Sequence, residues 1–375
     1  MKIVQLLPEL NEGGVERGTV ELSRELVKLG HESIVISAGG KLKEQIIKEG
    51  GTHITFDVCS KNPLTAPFRI AKLRKILREL KPDILHARSR VSAWLTYFAN
   101  KKLHIPFVTT VHGFNSVSFY SAIMTKGDRV ICVSGAIKDY IQKHYHTEEK
   151  KITVIPRGID LEKFNPQNLD QIFIEDFKKA YHLEERRIIT TVGRITQLKD
   201  HQTFIRAIAL LKKDDPKIAG LIVGGIREDK QEYFHSLEGL VKELDLEENI
   251  IFAGSQSKVA EIYALSDVVV SSSKKPESFG RSVAEALALN TPVVATNHGG
   301  VLDIIVEGKN GFFYPVGKED SLANYIEQCS DLKFDGYEYI TDIFSLKQMV
   351  DKTLKVYKEI VSNHYKFAHN ERNKS

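Results

Sequence analysis

Cysteine is scarce in this chain. The three cysteines in 375 residues, Cys59, Cys132 and Cys329, are far apart and odd in number. They form no disulfide framework and no zinc-ligand spacing, which fits a reducing cytoplasm. No apolar run approaches the ~20 residues that a membrane-crossing helix needs. The opening residues MKIVQLLPEL have too short an apolar core for a signal peptide and no small-residue cleavage site, so they read as a first buried strand. No repeat of about 20–50 residues and no low-complexity tract is present. A net charge of +4 with no RNA-binding motif argues against a nucleic-acid partner. What remains is a composition of 42% hydrophobic and 27% charged residues, which excludes wholesale disorder. The length predicts two or three domains.

The charge is uneven. Residues 1–170 hold 26 basic and 18 acidic side chains, and residues 61–102 hold eleven basic against only Glu79 and Asp83. Within that stretch Ile70, Leu73, Ile76, Leu77 and Leu80 recur at helical spacing, with Arg69, Lys72, Lys75 and Arg78 away from them. A basic amphipathic helix suits an anionic membrane surface. The same pattern suits a helix that packs on its own sheet and leaves its charges solvated.

Short β-branched runs at 3–7, 33–37, 54–56, 84–86, 107–111 and 130–133 alternate with amphipathic segments. The pattern restarts at 188–192, 221–223, 250–252, 268–271, 293–295 and 312–314. Continuous apolar strands alternating with helices predict parallel sheets covered on both faces, hence an α/β chain of two facing, doubly wound Rossmann-like domains. The polar stretch around Asn165-Pro166 reads as part of the connection. The expected layout is residues 1–165 plus a closing helix at 345–365, a linker at 166–182, a second domain at 183–344 and a frayed tail at 366–375. Ligands of such sheets sit at the carboxyl ends of the strands.

Four segments carry chemistry. Asn11-Glu-Gly-Gly-Val-Glu-Arg17 follows the first strand and opens a helix whose free N–H groups favour an anion; a plain tight turn explains it equally well. Thr190-Thr-Val-Gly-Arg-Ile-Thr-Gln-Leu-Lys-Asp200 places Gly193, Arg194 and Lys199 beyond a strand, where the two cations clamp a diphosphate or are simply solvated. In Lys275-Pro-Glu-Ser-Phe-Gly-Arg-Ser-Val-Ala-Glu-Ala-Leu287, Glu277 precedes a helix and Glu285 lies inside it. That spacing suits a carboxylate at each end of an elongated, hydroxyl-rich ligand, with the helix N-terminus facing its negative middle. Glu285 sits in an apolar run where a solvated acid is unexpected. Thr109-Thr-Val-His-Gly-Phe114 ends a strand in His112, a donor to a sugar hydroxyl or phosphate, or a structurally satisfied histidine.

In their order these segments resemble the retaining GT-B glycosyltransferases of the glycosyltransferase group 1 family over nearly the whole chain. Further matches are Val154-Ile-Pro-Arg-Gly-Ile-Asp160, Gly299-Gly300 and Gly308-Lys-Asn-Gly311. The resemblance implies that Glu285 binds the ribose hydroxyls of a nucleotide-sugar and that Arg194 and Lys199, beside Gly193, neutralise its pyrophosphate. It implies that Glu277, with the backbone of Phe279, Gly280 and Arg281, holds the donor sugar and leaving phosphate. Gly14 is then expected to approach the donor phosphate and His112 the reacting sugar, with the base near 251–254. His86-Ala-Arg-Ser-Arg90 is similar to bacterial surface-polysaccharide transferases, and implies that Arg88 and Arg90 meet an acidic or lipid-phosphate acceptor. Arg281 stands where an apolar residue is frequent, Arg157 where asparagine is, and Asp303 where glutamate is, which leaves the sugar open.

No Asp-x-Asp stands in the chain to hold a metal ion. The expectation is therefore metal-independent transfer; the resemblance implies that it is retaining, with no cofactor because the nucleotide-sugar is the substrate. The expected acceptor is a glycan or lipid-linked molecule, and the expected place the cytoplasm at the inner face of the membrane. The competing readings are an inert sugar-nucleotide-binding scaffold and a GT-B phosphorylase or epimerase.

Overall fold

The computed structural model describes residues 1–11 and 13–372, with side chains through 364. The chain divides into two compact units: Met1–Gly158 together with the segment from Leu346 onward, and Ile159–Ser345.

The first unit is a seven-stranded sheet of β1 (Lys2–Leu6), β2 (Glu32–Ser37), β3 (Thr52–Thr55), β4 (Ile84–Ala87), β5 (Phe107–Val111), β6 (Arg129–Cys132) and β7 (Ile152–Val154). The order is β3-β2-β1-β4-β5-β6-β7, and every pairing is parallel. Alternate residues enter two different cores, which is why these strands read as unbroken apolar runs. Val4, Leu6, Leu85 and Val111 pack on one side. Ile3, Ile84, Val108 and Ile131 pack on the other, with Val350, Leu354 and Tyr357 of the helix Leu346–Arg372. Fully buried Tyr357 shares a 2.6 Å hydrogen bond with His86 Nδ1, which fixes this helix to the sheet.

The second unit holds β8 (Ile188–Val192), β9 (Ala219–Val223), β10 (Ile250–Gly254), β11 (Val268–Ser271), β12 (Val293–Thr296) and β13 (Gly311–Tyr314). Their order is β10-β9-β8-β11-β12-β13, again parallel. In each sheet the strand order reverses at one point, between β1 and β4 and between β8 and β11. Those are the places where doubly wound sheets open a crevice beyond their carboxyl ends.

Three expectations change. The chain crosses between units at 158/159, not in a linker at 166–182. Gly158 packs so tightly in the first unit that a Cβ there would lie 2.5 Å from Leu346 Cα. Ile159 N–H donates to Phe344 O at 2.8 Å in the second unit. The supposed linker contains the helix Gln171–Ala180, capped by Asp170, which accepts from Phe173 N–H at 3.0 Å, and anchored by buried Phe177. Helix also continues through Arg372, where a frayed tail was expected; residues 373–375 lie outside the described residues. Among the described residues no helix is long and apolar enough to cross a membrane.

Candidate active site

The β8–β11 crevice of the second unit gathers the cationic loop and the first carboxylate. Beyond β8 the chain turns at Gly193, and Lys199 folds back over it: a Cβ at Gly193 would lie 3.1 Å from Lys199 Cε. Beyond β11, the loop of Ser273 and Glu277 comes to the same place. A cavity of about 690 Å³ is lined by Arg194, Lys199, Ser273, Glu277 and Ser278, with Arg227, Lys230 and Lys275 also at its wall.

Within it the Lys199 ammonium and the Ser273 hydroxyl, the latter at 2.6 Å, both donate to Glu277 Oε1. Burial pushes the Glu277 carboxyl up, but Lys199, Ser273 and His298 together hold it below the usual glutamate range. It is therefore an anion at neutral pH. Arg194 is exposed, with no side-chain hydrogen bond or ion pair of its own among the described residues. A half-buried salt-bridged cation next to an unengaged guanidinium is an arrangement that accepts a further anion.

The glycine pair beyond β12 sets the Glu277 loop. Gly300 N–H donates to Glu277 O at 2.7 Å, and Gly299 has φ 79 and no room for a Cβ, which would meet Glu277 O at 2.5 Å. Gly280, at φ 104, then starts the helix Arg281–Ala288. Its left-handed conformation costs an L-residue about 1 kcal/mol or more. Buried Phe279 packs against Phe344, so this residue offers its backbone to a ligand and its ring to the core.

Glu285 lies one turn into that helix, its side chain 12% exposed. Oε1 accepts from Arg281 Nε at 3.0 Å and Oε2 from the Tyr263 hydroxyl at 3.3 Å. Burial raises its pKa above the ordinary value, and Arg281, Lys163 and Tyr263 offset this only in part. Arg281 thus does more than fill an apolar position: it partners the Glu285 carboxylate.

The remaining expected residues belong to the first unit. Gly14 opens the helix Gly14–Lys28 beyond β1, and His112 follows β5. Both ring nitrogens of His112 are buried without a hydrogen-bond partner among the described residues. Burial first, then the charges of Arg88, Arg157 and His86, hold its pKa well below that of an ordinary histidine. Arg88 and Arg90 do not share a surface. Arg88 is only 7% exposed and donates to Gln5 Oε1 at 3.1 Å. Arg90 donates to Ser121 Oγ at 3.1 Å and lies over the Tyr120 ring. His86, the first residue of that motif, is interior, held by Tyr357 and Thr110.

Sequence reasoning missed Ser273, His298 and Tyr263. Ser273 was within reach, because Ser271-Ser272-Ser273 ends a strand four residues before Glu277. The other two come from distant elements and carried no local signal.

Two family models cover the chain. "Glycosyl transferases group 1" matches residues 173–339 and "Glycosyltransferase Family 4" matches residues 12–163. A glycosyltransferase crystal structure from Rickettsia africae superposes with a TM-score of 0.89 at 33% identity, covering 96% of this chain and 99% of that one. N-acetyl-α-D-glucosaminyl L-malate synthase of Bacillus anthracis is 27% identical over 84% of each chain. HepE of Anabaena, solved with UDP and glucose, has a TM-score of 0.81 at 20% identity, covering 96% and 99%. With its two parallel doubly wound units, the chain has the GT-B fold and belongs to the glycosyltransferase group 1 family.

Proposed function

We propose that this glycosyltransferase moves a sugar from a nucleotide-sugar to a glycan or lipid-linked acceptor of the bacterial surface, lipopolysaccharide included, with retention and without a metal ion. The observation that carries the reading is the β8–β11 cavity, where unengaged Arg194 stands beside Lys199–Glu277 at the approach to the helix Arg281–Ala288. Expelling a nucleoside diphosphate builds negative charge on the leaving oxygen, and fixed positive groups stabilise it. Arg194, Lys199 and the helix N-terminus supply that charge, and no Asp-x-Asp is present to recruit a cation. Glu285 accepts the ribose hydroxyls.

Glu277 is already engaged by Lys199 and Ser273, which favours a sugar ligand over a nucleophile. Attack therefore comes from the face that the diphosphate leaves, and a leaving phosphate oxygen takes the acceptor's proton. HepE, solved with UDP and glucose, supports a nucleotide-sugar donor through a shared fold. Thermal stabilisation by UDP-, GDP- or ADP-sugars tests donor binding. Loss of activity in EDTA, or a trapped glycosyl–Glu277 adduct, overturns the mechanism.

The membrane part of the reading is supported by one face of the first unit. Trp94 stacks on Phe98 and lies 5.4 Å from the ring of Phe119, which is 83% exposed. Lys101 covers Phe98, and Lys72, Lys75 and Arg78 are exposed on the neighbouring helix Ala66–Leu80, whose Phe68 is 79% exposed. Arg69, expected among those outward charges, instead turns inward to Ser60 O and Asn62 O. Aromatic rings with solvated cations suit an anionic bilayer surface.

A further inference from the structure

Lys199 sits in a loop that has no apolar anchor of its own. Between buried Ile195 and buried Asp200 no residue of the stretch 196–199 is buried, and Leu198 is 52% exposed. Polar groups beyond β11 hold this stretch instead. Ser272 Oγ donates to Lys199 O at 2.7 Å, and Lys274 N–H donates to Leu198 O at 2.8 Å. Two successive lysines then part. Lys275 stands at the wall of the β8–β11 cavity, whereas the Lys274 ammonium turns to Asp200, 3.1 Å from Oδ1. Asp200 follows Lys199 directly and is 1% exposed. Its φ of 49 lies in the left-handed region, where the chain turns into the helix His201–Leu211, and its Oδ2 accepts from Thr203 Oγ1 at 2.7 Å. Near it stand the phenols of Tyr233 and Tyr314. Burial first, and then the Asp200 charge, raise both, Tyr233 to about 12, so they are neutral. Lys274 is thus the cation that pairs with the Asp200 carboxylate. A buried carboxylate is costly unless it is paired, so the pair closes only when the Lys199 turn and the β11 loop lie in register.

We propose that Asp200 and Lys274 are positioning residues that lock the turn Gln197–Lys199 to the β11 loop, so that the Lys199 ammonium is held in place for a departing diphosphate. The inference rests on the proposed function, which makes Lys199 a partner of that diphosphate. A lysine carries its charge on a long, flexible stem, so its backbone must be fixed before its ammonium can be. A charge fixed in advance needs no reorganisation as the leaving oxygen turns negative. Asp200 cannot serve by charge alone: an acid beside a phosphate-binding lysine opposes an anion in the cavity. Its use is mechanical, through Lys274 and the backbone of Lys199, and neither Asp200 nor Lys274 touches the ligand.

The test is calorimetric titration of the full chain with inorganic pyrophosphate, for the unmodified protein, Asp200→Asn, Lys274→Met and Lys274→Arg, each with Lys199 intact and with Lys199→Ala. Asparagine tolerates the left-handed backbone and keeps an oxygen for Thr203, and Lys274 is 44% exposed, so these variants keep the fold; thermal denaturation confirms it. Through-space charge predicts opposite effects: losing the acid tightens pyrophosphate and losing the lysine weakens it. Positioning predicts that both weaken it, by about fivefold or more, and that Lys274→Arg recovers most of the loss. With Lys199→Ala, neither Asp200→Asn nor Lys274→Met costs anything further, because the residue they act through is gone. Unchanged or tighter binding in Asp200→Asn, or the same fold-loss with and without Lys199, overturns the proposal and leaves the donor reading standing. Absence of pyrophosphate binding to the unmodified chain overturns the donor reading and the proposal with it.

Discussion

Glu285→Gln separates the cost of the buried carboxylate from its use. In the folded protein burial lifts the Glu285 carboxyl above its ordinary value of 4.5, in spite of Arg281, Lys163 and Tyr263. Between that value and the raised one, the folded chain holds the proton and the unfolded chain has lost it. Wild-type stability therefore falls as pH rises through this window and levels off above it. Glutamine has nearly the same shape, keeps an oxygen to accept from Arg281, turns an NH2 to the Tyr263 hydroxyl oxygen, which can accept, and does not titrate. The stability of the variant relative to wild type rises with pH. A buried group whose desolvation is incompletely compensated costs about 1–3 kcal/mol. Because both oxygens have partners, we take the low end, about 1 kcal/mol, which is worth about 2–4 °C in Tm for a unit of this size. Donor affinity moves the other way. Losing charge-assisted hydrogen bonds to two ribose hydroxyls costs about 1.5–3 kcal/mol, on the order of 10- to 100-fold in Kd. Thermal denaturation from pH 5 to pH 8, with and without a nucleotide-sugar, reads both effects. A variant whose stability runs parallel to wild type at every pH, or whose donor affinity is unchanged, refutes the reasoning.

Other perturbations have separable signatures. Arg194→Ala should leave the melting temperature within the small change expected of an exposed side chain, about ±0.5 kcal/mol, while lowering kcat about 10²–10³-fold, as loss of a transition-state charge partner does; steady-state kinetics with the preferred donor reads it. Gly280→Ala should destabilise the second unit by about 2 kcal/mol or more, because φ is 104 and the new Cβ would lie 2.6 Å from Val301 Cγ1; urea denaturation checks it. Tyr357→Phe should cost about 1–3 kcal/mol, since it leaves buried His86 Nδ1 without its partner. Phe68→Ser with Phe119→Ser should weaken co-sedimentation with phosphatidylglycerol vesicles several-fold and leave binding to phosphatidylcholine weak throughout; equal sedimentation by wild type and variant would remove the membrane reading.

The parts of the molecule legible in the sequence are those whose causes are local. Twelve of the strands announce themselves as apolar runs, and the Glu277–Glu285 spacing places one carboxylate before a helix and the other within it. β7 escaped because it is three half-buried residues at a sheet edge, too few to show a period. The segment 166–182 looked like a linker because it is polar and contains proline, yet Asp170 followed by Phe173 and Phe177 was a helix cap with an apolar stripe. The real crossover at Gly158 carries no polar signature because it is packed, not loose. Arg69 was placed outward by periodicity alone, whereas in the first turn of its helix it satisfies carbonyls of the preceding loop. Arg157 stood out in the sequence only as an arginine where asparagine is frequent; that it lies beside Gly14 and His112, which follow β1 and β5, is encoded by no spacing.

The two carboxylates of the Glu277–Glu285 motif show how one short segment yields two different acids. Glu277 follows the strand end and meets cations from other loops and the Ser273 hydroxyl of its own loop, so its charge is held even when buried. Glu285 sits among Val283, Ala284, Ala286 and Leu287, all buried, so its own helix supplies no solvent, and the charge that opposes burial comes first from Arg281, one turn earlier, and then from Lys163. Any acid limb of donor binding above the ordinary glutamate range therefore belongs to Glu285 and not to Glu277. Arg281→Leu removes the opposing charge and should move that limb to higher pH, whereas Ser273→Ala, which removes a hydrogen bond from Glu277, should leave it in place. A limb that moves with Ser273→Ala and stays fixed with Arg281→Leu would reverse the assignment.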